Sequence, residues 1–226
     1  MAQLELELVT PCAAYLPDYL AALKRGWSSD NIRAEAAEDE AEEIERDPIG
    51  FIAKKADDRE AGGGPVKLPD GSMVQRLPGF VRWIWDGEFC GSISFRWQKG
   101  TAELPPHVLG HIGYGVVPWK QRRGYATKAL ALMLIEARAE GLPYVEITTD
   151  PDNIASQKVI LANRGQLIER FSKPPQYGAR VECLRYRIII DERLNQRIEQ
   201  AVSVKAKPVS DAMPALGRNS PDATNG

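Results

Sequence analysis

Between Trp119 and Met133 the chain reads WKQRRGYATKALALM: one lysine and two arginines beside a glycine, followed at once by apolar residues at helical spacing. A turn of this kind can hold an anion. The start of a helix leaves its first N–H groups without intrahelical partners and carries roughly half a positive charge, so an anion placed there gains several hydrogen bonds together. Gly124 permits a tight turn and a close approach, small Ala126 keeps the way open, and Lys120, Arg122 and Arg123 add charge around the cradle, a fit for a pyrophosphate. No GxxxxGK run followed by Ser or Thr exists, which removes the nucleotide P-loop. A dinucleotide turn of GxGxxG type is also excluded, because Gly113 and Gly115 lie inside a β-type run that Pro118 ends. A strand, a QxxGxA turn and a helix remain.

The patterning on both sides shows which elements must present this turn. Leu4, Leu6 and Leu8 alternate with Gln3, Glu5 and Glu7, the period of a strand with one face on a core. Pro17–Arg25 suits a short helix with proline in its first turn and Gly26 at its end. The stretch RAEAAEDEAEEIER (33–46) favours helix but has few large apolar residues, which predicts weak packing and a solvated acidic face. The glycines and prolines of ADDREAGGGPVKLPDGSMVQRLP predict a long surface loop over residues 56–79, a candidate lid or specificity element. Phe80–Trp85 and Phe89–Trp97 flank Asp86-Gly87, a strong short hairpin signal. Gly110–Val117 predicts another strand, whose internal Gly113 and Gly115 point to a bulge or to close approach by a backbone or ligand.

After the basic turn, Ala126, Ala129, Leu130, Met133, Leu134 and Ala137 predict a helix closed by Gly141 and Pro143. Tyr144–Thr149 is β-branched and predicts a strand. A turn follows, then a helix capped by Asn153 or Asp152 with Ala155, Val159 and Ala162 along one stripe. Gln166–Phe171 and Val181–Ile190 predict a strand pair whose edge could join another copy of the chain as a homodimer. Beyond Asp191, a short charged helix and then a Pro-, Ser- and Asn-rich disordered tail are expected through residue 226.

Composition narrows the function classes. Lys and Arg number 29 against 31 Asp and Glu, a formal charge of -2, so no global field exists to hold phosphate backbones and nucleic acid is not expected as a partner. No apolar run approaches the roughly 20 residues a bilayer requires, and the start lacks the pattern of a signal peptide, so no membrane association is expected. Cys12, Cys90 and Cys183 are odd in number and far apart, which fits buried thiols in a reduced cytoplasmic protein better than disulfides or a metal site.

The run GHIGYGVVPWKQRRGYATKALALMLIEARAEG followed by VEITTDPDNIASQKVILANRGQ resembles the GCN5-related N-acetyltransferase (GNAT) superfamily, nearest to bacterial acetyltransferases with HIGY before the cofactor loop and DNxAS after it. The likeness is sharp over 110–165, weaker over 4–97, and does not extend past Ile190. It implies one domain over 1–190 with an α+β fold, in which a mixed, mostly antiparallel sheet flanked by helices splays at a V-shaped notch. It implies acetyl-CoA in that notch, with no metal. By resemblance, Gln121, Arg122, Arg123, Gly124, Tyr125, Ala126 and Thr127 would bind the pyrophosphate, Val116 and Val117 the pantetheine arm, and Asn153 and Ser156 its lower part, where plain helix capping is the alternative.

Acetyl transfer to a primary amine of a small molecule or peptide needs a deprotonated amine, aligned reactants and a donor for the developing oxyanion. The resemblance places that donor at the Val116 N–H. His111, whose unperturbed pKa lies near 6.5, is the first candidate for the base, a buried structural histidine being the competing reading; Glu146 is the second candidate. Many family members carry a tyrosine as general acid where Ile160 stands here. Tyr114 or water takes that role, or the thiolate leaves unaided. The departure also motivates another reading, a CoA-binding regulatory or sensor module. Trp83, Trp85 and Trp97 read as core, and Arg96 as a ligand for an acceptor carboxylate or as half of a surface ion pair.

Overall fold

The computed structural model describes residues 5–30, 35–68, 71–173 and 182–190, all within the unit Met1–Glu192. The expected C-terminal helix and tail lie outside the described residues. In chain order the elements are β1 (Glu7–Val9), α1 (Leu16–Lys24), α2 (Ala36–Arg46), α3 (Pro48–Lys54), β2 (Val66–Lys67), β3 (Met73–Val74), β4 (Gly79–Trp85), β5 (Phe89–Arg96), β6 (Ile112–Val116), a 3-10 turn at Pro118–Lys120, α4 (Tyr125–Ala139), β7 (Tyr144–Thr149), α5 (Ile154–Ala162), β8 (Gln166–Ser172) and β9 (Glu182–Ile189).

Two antiparallel sheets form the framework, one in the order β1-β4-β5-β6 and one in the order β7-β9-β8. Alternation along β4 and β5 sorts their side chains between two layers of helix. On one face Trp83 stacks against Tyr19 of α1, ring centroids 4.6 Å apart, and joins Trp27, Phe51 and Phe89 in an aromatic cluster. On the other, Arg82 bonds Glu136 of α4, whose Leu130, Met133, Leu134 and Ala137 are fully buried. Trp83, Trp85 and Trp97 are all core residues, as their types suggest.

The sheets touch at one end only. The His111 N–H donates to the Glu146 carbonyl at 2.7 Å, and a Cβ on Gly110 would lie 3.1 Å from that same oxygen. No ladder joins β6 to β7 beyond this contact among the described residues, so the strands part toward Val116 and leave a notch.

Several expectations change. The loop over 56–79 contains the β2–β3 hairpin and an antiparallel bridge from Asp58 to Gly79. Helix α3 is an element the sequence reading left out; Asp47 caps it by accepting from the Gly50 N–H at 2.9 Å, and Pro48 opens it. In α5 the buried residue is Ile160, while Ala155 and Ala162 of the expected stripe are exposed. The close backbone approach sits not at Gly113 or Gly115 but at Gly91, opposite them on β5. Gly91 has φ of 149°, and a Cβ there would lie 2.1 Å from the Gly115 carbonyl oxygen. Of the three cysteines Cys90 and Cys183 are buried and Cys12 is half-buried. Among the described residues no helix is long and apolar enough to cross a membrane.

Candidate active site

The turn between β6 and α4 is tethered to the β4–β5 hairpin. Lys120 Nζ donates to Asp86 Oδ1 at 2.6 Å, and the Tyr125 hydroxyl donates to Asp86 Oδ2 at 2.6 Å. Burial pushes the Asp86 carboxyl up, but hydrogen bonds from Lys120 and Tyr125 outweigh it and hold the group lowered, at about 2. Lys120 is therefore a buried tether rather than a cation of the cradle, while Arg122 and Arg123 stay exposed. Asp86 escaped the sequence reading, because its Asp-Gly signal was used only for backbone geometry.

Gly124 caps α4 with φ of 78°, and no side chain supplies a cap hydrogen bond. Nothing lies within 4 Å of a Cβ built there, so the left-handed backbone, and not crowding, is what favours glycine. The first helical bond runs from the Lys128 N–H to the Gly124 carbonyl at 3.0 Å. The amides of Tyr125, Ala126 and Thr127 precede it, and the exposed Arg122 and Arg123 come just before them in the chain. Gln121 Nε2 donates to the Val116 carbonyl at 3.2 Å and pins the turn to the end of β6.

Pairing with β5 decides which groups of β6 face the notch. The Val117 N–H donates to the Cys90 carbonyl at 2.9 Å, and the Arg96 N–H to the His111 carbonyl at 2.9 Å. Antiparallel pairing alternates, so Gly113, Gly115 and Val117 turn their backbone groups to β5, and Ile112, Tyr114 and Val116 turn theirs away from it, toward the notch. The backbone groups of Val116 turn to the notch, with its carbonyl accepting from Gln121. The Val117 amide is instead committed to Cys90, and its side chain is fully buried.

Across the notch, Asn153 caps α5 by accepting from the Ser156 N–H at 3.0 Å. Ser156 Oγ lies 2.9 Å from the Tyr114 hydroxyl, so the structure brings these two sequence candidates together. Burial pushes the Tyr114 phenol up to about 12 despite that hydrogen bond. Ile160, one turn further along α5, is fully buried.

His111 and Glu146 are also brought together, but as a joint between the sheets. His111 is fully buried, and its Nδ1 accepts from the Glu146 N–H at 2.9 Å, which leaves the proton of the neutral ring on Nε2. Among the described residues Nε2 finds no hydrogen-bond partner. Burial lowers the imidazole to about 4, against the opposing pull of Glu146. To take a proton, Nδ1 would have to surrender the bond that joins the sheets. The Glu146 carboxylate accepts from Arg187 at 2.6 and 3.1 Å and lies 3.6 Å from Arg185 Nε. Neither group is poised as the expected base.

Residues 71–165 match the family model described as the acetyltransferase (GNAT) domain. Among solved structures the chain is similar to the microcin C7 self-immunity acetyltransferase in complex with acetyl-CoA and AMP, with 16% identity, a TM-score of 0.54, and coverage of 82% of this chain and 93% of that one. It is also similar to the ribosomal L7/L12 α-N-protein acetyltransferase in complex with coenzyme A, at 16% identity and a TM-score of 0.53, over 84% of this chain and 96% of that one. The Salmonella typhimurium acetyltransferase that modifies the N-terminal serine of the same ribosomal protein gives 16% identity and a TM-score of 0.51, over 84% and 97% of the two chains. At such identities the likeness establishes the fold. A search of curated proteins finds no match.

Proposed function

We propose that the protein is a cytoplasmic N-acetyltransferase that moves the acetyl group of acetyl-CoA to a primary amine of a small molecule or peptide by direct attack on the thioester. The observation that carries this reading is the uncapped, Gly124-headed start of α4 standing at the mouth of a notch into which Tyr114 and Val116 of β6 direct their backbone groups. The amides of residues 124–127, with Arg122 and Arg123, would hold the pyrophosphate. The outward groups of Val116 and Tyr114 would pair with the pantetheine arm much as a neighbouring strand would. Ser156 lies where the lower arm would pass.

Alignment alone can supply roughly 7 to 11 kcal/mol of the barrier, so the fold needs few reacting side chains. An outward N–H of β6 is the oxyanion donor in this scheme. A phenol at about 12 is too weak an acid to give its proton outright to a thiolate of ordinary basicity near ~8.5, so Tyr114 acts as a hydrogen-bond donor to the departing sulfur. With His111 and Glu146 committed elsewhere, the amine arrives already neutral and loses its second proton to water during transfer. That favours acceptors of low basicity. At pH 7.5 roughly a third of an α-amine is neutral, against about 0.1% of a lysine-type amine.

The locked His111 and the buried Ile160 support the other reading as well, a CoA-binding sensor without turnover. Both require CoA binding, and only the enzyme releases CoA when acetyl-CoA meets an amine panel. Calorimetry with CoA and a thiol-release screen against amino acids, polyamines, aminoglycosides and peptide N-termini separate them. Absence of heat with CoA removes both readings.

A further inference from the structure

A cavity of about 340 Å³ lies on the α1–α3 side of the large sheet, between the end of α3 and the β2–β3 hairpin. Val66, Leu68, Val74, Leu77, Val81 and Val108 line it, and all six are only half-buried. The charged side chains on the same walls are already engaged within the chain. Lys54 pairs with Glu43, and Lys55 with Glu40. Asp58 accepts from the Gly62 and Gly63 amides at 2.7 and 3.1 Å, Arg76 donates to the Gly64 carbonyl at 3.3 Å, and Arg96 donates to Ser94 Oγ at 3.1 Å. What the cavity offers a guest is therefore apolar surface. Its size sets the bulk of that guest: a cavity of about 150 Å³ holds one benzene ring, so this one takes a large side chain together with the backbone that carries it.

One wall of the cavity leads to the reacting end. Ser94 of β5 belongs to that wall and stands opposite Gly113 of β6. Gly113 is exposed; a Cβ built on it would first meet Ser94 Oγ at 3.5 Å, and one built on Gly115 would first meet the Trp27 ring at 3.9 Å. This face of β6 is thus bare backbone, and an extended chain can lie along it. From the register of Ser94 to that of Val116 is three residues of strand, roughly 10 Å at about 3.3 Å per residue.

We propose that the cavity receives a large apolar side chain of a peptide acceptor, held about 10 Å from the reacting α-amine, and that Val74, Leu68 and Val108 select for it. This deepens the acetyltransferase reading and rests on it. An extended peptide advances about 3.3 Å per residue, so the fourth residue of the acceptor is the one that reaches the cavity. A free amino acid cannot span the two points.

The test uses three peptide amides that begin with alanine and differ only at the fourth position, which is leucine, serine or glutamate. Calorimetric titration onto the CoA-saturated full chain should show the leucine peptide binding at least about tenfold tighter than the other two, the gain expected from burying one such side chain. Leucine amide, too short to reach the cavity, should gain nothing over serine amide. Val74→Trp fills the cavity from the two-residue strand β3 and should bring the leucine peptide to within about threefold of the serine peptide, whose own affinity changes less than threefold. Val108→Ser leaves the cavity open but makes it more polar, and should narrow the preference several-fold. Equal affinity of the three peptides for the wild-type chain, tightest binding of the glutamate peptide, a leucine gain already present in the single amino-acid amides, or a uniform loss for all peptides in both variants overturns the proposal. CoA release from acetyl-CoA is followed on the same samples. A leucine preference in binding without release would remove the enzyme reading and leave the apolar site standing, whereas release without the preference would remove the site alone.

Discussion

Replacing His111 by asparagine separates the two roles an imidazole could have at this position. Asn Oδ1 can still accept from the Glu146 N–H, so the joint between the sheets is kept while the titrating group is removed. In the native chain the imidazole is depressed from 6.5 to about 4, with Glu146 and Arg96 as its charged neighbours. Because the folded pKa lies below the unfolded one, the unfolded chain takes up a proton that the folded chain refuses, and stability falls as pH drops from 6.5 toward 4. The full shift corresponds to about 3 kcal/mol, and lowering the pH from 7.5 to 5 removes about 2 kcal/mol of it. Urea unfolding of both chains across that range measures it. The wild type should lose about 2 kcal/mol relative to His111→Asn, and acetyl transfer at pH 7.5 should stay within a few-fold. A general base contributes about a hundredfold to ten-thousandfold in rate. A loss of that size, with a stability difference that does not vary with pH, would refute the assignment of His111 as a joint.

Tyr114→Phe removes the donor near Ser156 and should lower kcat about tenfold with the dissociation constant for CoA within twofold, measured by single-turnover kinetics and calorimetry. Gly91→Ala places a methyl 2.1 Å from the Gly115 carbonyl at a φ of 149° and should cost at least about 3 kcal/mol in urea unfolding, or abolish folding. Lys120→Met leaves Asp86 without its cation and should cost about 1–3 kcal/mol in stability and weaken CoA several-fold by loosening the turn. Gly124→Glu sets a carboxylate on a left-handed cap beside the proposed pyrophosphate site and should weaken CoA by at least about a hundredfold in calorimetry, with urea stability reduced by about 1 kcal/mol.

The elements that position the site were legible wherever a local rule settled them. The Asp86-Gly87 pair marked the β4–β5 hairpin, β-branched residues marked β7, and Asn153 marked the cap of α5. What escaped depended on contacts distant in sequence. Lys120 looks like its neighbours Arg122 and Arg123, and only Asp86, 34 positions away, makes it a tether. His111 has the pKa of a base in isolation, and only the Glu146 N–H, 35 positions away, makes it a joint. Helix α3 is short and lacks a periodic apolar face, so its Asp47-Pro48 cap was the one signal available.

The glycines of β6 follow from the same alternation that orients its amides. A strand presents successive residues to opposite faces, and its backbone groups alternate between opposite edges in step with them. On β6 the residues whose amides reach into the notch, Tyr114 and Val116, send their side chains to the α4–α5 layer, where the Tyr114 hydroxyl meets Ser156. Gly113 and Gly115, whose amides are spent on β5, are the residues that face the α1–α3 layer. A side chain at 113 would stand 3.5 Å from Ser94 Oγ and one at 115 would stand 3.9 Å from the Trp27 ring, whereas on the other face Tyr114 packs with its hydroxyl at Ser156. Glycine at 113 and 115 therefore leaves that face of the strand bare, and no positive φ demands it. Gly113→Val should accordingly block an extended acceptor without loosening CoA, a split between the two ligands that a purely structural glycine would not give.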